Sequence, residues 1–255
     1  MEETDNMYCS SDGSIYSDVA AAACCYAVCR LVNRLLKQRL LKQSYDKGLL
    51  NVHLFRKLVH ISMGLIIMLC WPMLSCGRRR RILGGLVPVL CMYRVLLAGF
   101  GTNYKPMDSQ GRYRDYRELL KAALGYALAV FLATIFHLRS TPLAIATISN
   151  LCAGDGIADI AGRRYGSWKL PYNKNKSFAG SIGMAISGFT SSILFMFYFS
   201  WFGYNIRVSP NMVLGFLMVS VASALVESHP WSTRLDDNLT VPLASAVVGT
   251  FFLLY

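Results

Sequence analysis

Charge is scarce in this chain. Asp, Glu, Lys and Arg make up 16% of its 255 residues, against 54% hydrophobic ones. An ordinary soluble domain carries about 25% charged residues, so that class is excluded. Acid is scarcer than base: 14 Asp and Glu face 26 Lys and Arg, for a net charge of +12. A nucleic-acid binder can have that balance. Here, however, the basic residues fall between apolar runs of spanning length, where they act as orientation signals. No Cys spacing reads as a zinc site. Cys24, Cys25, Cys29, Cys70, Cys76, Cys91 and Cys152 sit in apolar runs as small apolar fillers, and Cys9 stands apart. There is no G-x-x-x-x-G-K-[ST] loop, no G-x-S-x-G elbow and no protein-kinase signature, so any phosphoryl transfer here uses another scaffold. No internal repeat is visible. The first residues hold Glu2, Glu3 and Asp5 and no Arg, which is not a usual transit or signal pattern.

What is present is a series of apolar runs. Residues 1–14 are polar. Residues 15–33 are alanine-rich and form a weaker first span, and 34–57 is a basic linker suited to an interfacial helix. Further spans read at 58–76, 82–100, 122–138, 142–161, 179–202, 211–227 and 240–255. A crossing helix needs about 20 apolar residues, so the expected fold is all-α, a polytopic membrane helix bundle with about seven to eight spans. Residues 1–57 read as a tail, first span and linker, and 58–255 as one membrane-embedded domain. If every span crosses, the loops at 34–57, 101–121, 162–178 and 228–239 share a face with eighteen Lys and Arg. The opposite loops hold six, four of them Arg78 to Arg81. The bias favours this arrangement.

The most informative stretch is Asn150 to Ser181, NLCAGDGIADIAGRRYGSWKLPYNKNKSFAGS. Asp155 and Asp159 lie four residues apart in an apolar run, which puts both carboxylates on one helix face. Ionisable groups at membrane depth are costly and mark function. Gly154, Gly156, Gly162 and Gly166 surround them. Arg163, Arg164, Lys169, Lys174 and Lys176 follow, and Ser177 and Gly180 close the stretch. Carboxylates suit Mg²⁺, which keeps positions for water and phosphate oxygens. Lysines and free backbone N–H groups neutralise phosphates. Together they read as a metal–nucleoside triphosphate site, although single glycines and lysines also serve helix packing and topology.

Glu227 ends one span, and Asp236, Asp237 and Asn238 open the next. The three can cap a helix or supply a second metal-binding arm. Arg56, Lys57 and His60 read as boundary and interfacial groups. Arg117 lies in a mixed-charge helix start, RDYRELLK.

RKLVHISMGL (56–65), RELLK (117–121), NLCAGDGIADIAGRRYG (150–166), LPYNKNKSFAGSIGM (170–184), ALVES-P from Ala224 and DDNLT (236–240) resemble the plant phytol and farnesol kinases. These are relatives of dolichol kinase in the polyprenol kinase family, and the resemblance covers roughly residues 55–255. The dolichol kinase nucleotide-binding pattern maps onto Asp155, Ala158, Gly162 and Gly166, then Asn175, Lys176, Ser177, Phe178, Ala179 and Gly180. Ser177 replaces a Thr and Ala179 a Glu, which favours the phytol/farnesol branch.

The resemblance implies a CTP-dependent kinase for the hydroxyl of an isoprenoid alcohol: farnesol, geranylgeraniol or phytol. It implies Asp155 and Asp159 as catalytic residues, and Mg²⁺ held by Asp155, Asp159, Asp236 and Asp237. Gly154, Gly156, Gly162, Gly166, Lys174, Lys176, Ser177 and Gly180 would hold the nucleotide, with Glu227, Asn238 and Arg117 in support. The partners are a prenol lipid, a nucleoside triphosphate and membrane lipids, with no nucleic acid. The location is a chloroplast membrane, with the endoplasmic reticulum as the alternative. A CTP-dependent lipid cytidylyltransferase and a transporter using the aspartates as an ion site are the competing classes.

Overall fold

In lipid no water pairs with backbone N–H and C=O groups, so an apolar run satisfies them internally by coiling into a helix. The computed structural model describes residues 15–47, 52–74, 78–101, 116–137, 141–204, 206, 208–232 and 237–254, and nearly all are helical. The helices are α1 (Ile15–Lys47), α2 (Val52–Cys70), α3 (Arg78–Gly101), α4 (Tyr116–His137), α5 (Thr141–Ser149), α6 (Asp155–Tyr165), α7 (Phe178–Trp201), α8 (Pro210–Ser228) and α9 (Asp237–Leu253). The chain is an all-α membrane bundle. Among the described residues, Ile15–Arg39, Pro142–Tyr165, Phe178–Trp201 and Pro210–Ser228 are long and apolar enough to cross a membrane, and four shorter apolar helices accompany them.

Two boundaries differ from the sequence reading. Residues 34–57 are not a separate interfacial helix. No Gly or Pro interrupts 15–47, so α1 runs through the basic stretch to Lys47, and α2 starts at Val52. The basic loop after the aspartates is also partly structured. α6 continues to Tyr165, and Lys169–Leu170 (β1) then pairs antiparallel with Asn173–Ser177 (β2). This two-stranded ribbon is the one sheet among the described residues.

Polarity is distributed as lipid requires. On α9, Leu239, Leu243, Val247 and Phe251 recur every four residues and are all exposed, an apolar stripe facing outward. Small polar residues lie inside. Ser223 and Ser245 share a 2.8 Å hydrogen bond between α8 and α9, and Ser191 donates to Ser149 at 3.3 Å between α7 and α5. Such contacts let membrane helices approach closely. The most buried of the long segments is Pro142–Tyr165. It is α5 and α6 joined through a π turn at Asn150–Gly154, where the Asp155 N–H reaches back to the Asn150 carbonyl. Asn150 donates its side-chain amide to the Ala146 carbonyl at 2.8 Å within the same turn. The large aromatic core, with Trp71 and Phe199 at 5.7 Å between centroids, lies near the C-terminal ends of α2 and α7. The opposite ends of those helices carry the polar cleft described next.

Candidate active site

The π turn delivers Asp155 to a crowded polar place. Lys57, near the start of α2, donates to Asp155 Oδ2 at 2.9 Å. His60 Nε2 stands 3.3 Å from the same oxygen and 2.9 Å from the Leu151 carbonyl. A carbonyl only accepts, so Nε2 carries the proton. Tyr126 of α4 donates to the His60 carbonyl at 2.6 Å and lays its ring 3.9 Å from the imidazole. The Asp155 carboxylate is 5% exposed. At such burial an unpaired charge would cost several kcal/mol, and Lys57 offsets part of that cost.

Two carboxylates from distant helices meet it. One oxygen each of Asp155, Glu227 and Asp237 lies within 4.8 Å of the others. Glu227 sits in the last turn of α8, where the helix dipole disfavours an anion. The cation that compensates is Lys176 of β2, which bonds Glu227 closely and reaches Asp237 Oδ2 at 3.1 Å. Burial works to lower the pKa of the Lys176 ammonium, but the Glu227 and Asp237 carboxylates outweigh it and hold it above the ordinary lysine value. Ser232 donates to Asp237 and fixes its second oxygen.

The ribbon brings Lys176 here because it is tied to the end of α8. Asn173 donates to the Ser228 carbonyl at 3.0 Å, and the Tyr172 and Ser228 hydroxyls are 2.8 Å apart. The Asn173 side chain also accepts the Asn175 N–H at 3.1 Å, an Asx turn that shapes the strand. Ser177 then caps α7, its hydroxyl accepting the Gly180 N–H at 3.2 Å. Gly180 is small for a reason: a Cβ there would stand 3.0 Å from the Ala158 carbonyl and 3.5 Å from Gly162 Cα. The N-terminus of α7 therefore abuts α6 across a cleft of about 520 Å³.

The structure sorts the expected residues. Asp155, Asp159, Gly162, Gly166, Lys176, Ser177, Gly180, Glu227 and Asp237 line that cleft. Asp159 is not in the acidic trio; it pairs with Arg163 at 3.2 Å one turn along α6. Gly154 faces Met184, and Gly156 faces Ile61, so both lie in helix contacts. Lys174 is exposed on β2 and does not line the cleft. Asn238 follows Asp237 in the first turn of α9. Arg117 lies on α4 with its side chain outside the described residues, and Asp236 lies outside them altogether. Sequence reasoning treated Lys57 and His60 as boundary groups. The missed signal was their i, i+3 spacing, which puts two donors on one face at a span's start.

No family model matches the chain, and no solved structure matches it. Curated proteins do. Farnesol kinase, chloroplastic, of Arabidopsis thaliana is 54% identical over 82% of this chain and 68% of its own length. The chain belongs to the plant farnesol/phytol kinase family. Probable phytol kinase 3, chloroplastic, of Glycine max is 52% identical over 84% of the chain and 68% of its own length. Phytol kinase 1, chloroplastic, of Arabidopsis thaliana is 38% identical over 91% and 74%. In this farnesol/phytol kinase family member, the acidic trio, the ribbon lysine and the α7 N-terminus meet within one cleft.

Proposed function

We propose that the chain transfers the γ-phosphoryl group of CTP to the hydroxyl of an isoprenoid alcohol, making the alcohol monophosphate. As a member of this family it is a phosphotransferase with an alcohol acceptor. The observation that carries the fuller reading is the meeting of Asp155, Glu227 and Asp237 beside Lys176 at the N-terminus of α7.

Three carboxylate oxygens are a hard donor set that fits Mg²⁺. When bound, Mg²⁺ would neutralise phosphate charge and align the triphosphate. The chain's own residues do the rest. Lys176 pairs with triphosphate oxygens, and N–H groups at the start of α7 donate to them. Arg163, Arg164 and Lys169, which also line the cleft, draw the anion in. The prenol tail lies against the exposed apolar helix faces, with its hydroxyl at the cleft. The alcohol oxygen bonds to the γ-phosphorus, the bond to the bridging oxygen breaks, and CDP leaves. The hydroxyl proton passes to a carboxylate, Asp155 or Asp159. The relatives are named chloroplastic, and with this chain's apolar helices a chloroplast membrane is the proposed location.

The test uses protein purified in detergent, offered CTP, ATP, UTP and GTP with farnesol, geranylgeraniol and phytol. Alcohol monophosphate with CDP is expected. Release of pyrophosphate would make it a cytidylyltransferase. No nucleotide turnover with any pair would overturn the enzyme reading.

A further inference from the structure

We propose that Lys57 and His60 are positioning residues for the Asp155 carboxylate, presented by one face of α2 that is fitted to the π turn. This rests on the cleft being the kinase site.

Lys57, His60, Ile61 and Gly64 recur at i, i+3, i+4 and i+7, one face of α2. Each touches the segment around Asp155. Lys57 and His60 meet its carboxylate. Ile61 packs on Gly156, where a Cβ would run into it, and Gly64 packs on Cys152 in the same way. The two glycines set the spacing, so α2 cannot slide along the π turn without a collision. Tyr126 grips His60 from the other side, through its carbonyl and its ring, and its hydroxyl also lies 3.2 Å from Cys152 Sγ. The imidazole is thus held at its backbone, its ring face and Nε2.

Both side chains stand against one oxygen, Oδ2. Lys57 donates to it from 2.9 Å, and His60 Nε2, whose N–H goes to the Leu151 carbonyl, stands 3.3 Å from it. The Lys57 hydrogen bond and the fixed imidazole beside the same oxygen set the rotamer of the carboxylate and leave Oδ1 for a ligand. Stability is a poor explanation of the arrangement. A buried ion pair is often no better than well-packed apolar residues of the same volume, and the Lys57 side chain is only 11% exposed. Outer partners that orient a ligating carboxylate typically matter 10- to 100-fold for metal affinity or activity.

The experiment uses the full chain in detergent with Lys57→Met, Lys57→Arg, His60→Ala and His60→Gln. Folding is checked by size-exclusion profile and thermal midpoint. We expect kcat in Lys57→Met and His60→Ala to fall about 10- to 100-fold, with both KM values changed less than about threefold. Lys57→Arg and His60→Gln, which keep a donor, should recover most of the loss. Mn²⁺ binding without nucleotide, read from the EPR signal of free Mn²⁺, should weaken about tenfold in the same two variants. Folded variants with wild-type kcat and wild-type Mn²⁺ binding overturn the proposal, as does a rise in KM alone. If Lys57→Met does not fold, the His60 pair decides by the same criteria. If the wild-type chain transfers no phosphoryl group, the kinase reading fails, and the Mn²⁺ measurement still decides whether these residues position Asp155.

Discussion

At the residue scale, the two aspartates that look alike in sequence have different surroundings. Asp155 is buried, held by Lys57 and faces Glu227 and Asp237; Asp159 is partly exposed and paired with Arg163. Asp155→Asn should therefore lower the rate of phosphorylation at least about 100-fold while the protein still inserts and folds, since removing the charge removes a ligand and no packing volume. Asp159→Asn should cost less, about tenfold. Rates for both, measured on protein with unchanged thermal midpoint, check the order; a larger loss at Asp159 would reverse the roles. Lys176 divides its bonds between Glu227 and Asp237. Lys176→Ala should raise the nucleotide KM about tenfold and leave the alcohol KM nearly unchanged. Its raised pKa gives a pH expectation as well. A lysine with a raised folded-state pKa keeps its full pairing below the ordinary lysine value and loses it only as pH climbs through the raised one. Nucleotide KM should hence show no Lys176 step between about pH 7 and pH 9; a step there that vanishes in Lys176→Ala would contradict that.

At the element scale, most helices were readable because they hold an apolar run, and the aspartate segment because two charges in such a run are costly; the basic half of α1 and the polar end of α6 hold none, and there the boundaries were missed. The ribbon was not readable. Lys-Leu and Asn-Lys-Asn-Lys-Ser carry no strand-like alternation; tertiary bonds from Asn173 and Tyr172 to Ser228 make the hairpin. The π turn was equally hidden, since a one-residue insertion leaves the hydrophobic pattern almost unchanged. The trio was half visible: Glu227 and Asp237 stood out as acids at span ends, but only the fold shows them beside Asp155. Asn173→Ala removes both the bond to α8 and the Asx turn, at a cost of about 1–3 kcal/mol. The ribbon should loosen before the bundle does. We expect nucleotide KM to rise about three- to tenfold with kcat largely kept, and amide exchange to quicken at 169–177. A fall in kcat at unchanged KM would show instead that the ribbon acts on the chemical step.

At the scale of the whole molecule, the helix ends arrange the polarity. Lys57 at the start of α2, the ribbon after α6, the start of α7, the end of α8 and the start of α9 converge on one cleft. Tyr198, near the end of α7, donates to the Leu69 carbonyl near the end of α2 at 2.6 Å, so those two helices run the same way, with their starts at the cleft and their C-terminal ends together away from it. This pattern accounts for alternating helices that each cross once, and we propose that they do. The site face would then be the one with the larger Lys and Arg count, the cytosolic or stromal side, where nucleotide is found. Exposed aromatics mark both levels: Trp168 and Trp231 near the cleft and Trp201 at the far end of α7, as expected of side chains that settle at a membrane interface. Single substitutions Lys174→Cys, Trp231→Cys and Trp201→Cys, made with Cys9, Cys24 and Cys76 replaced by Ser, test the arrangement. In sealed vesicles, a membrane-impermeant maleimide added outside should label positions 174 and 231 together, or neither, and position 201 in the opposite sense. Nucleotide with Mg²⁺ should slow labelling at 231 more than at 201, because only the first adjoins the cleft. Labelling of 174 and 231 from opposite sides would break the site into two halves across the membrane. The ion pair between Lys176 and Asp237 could then not form, and the composite site would be wrong.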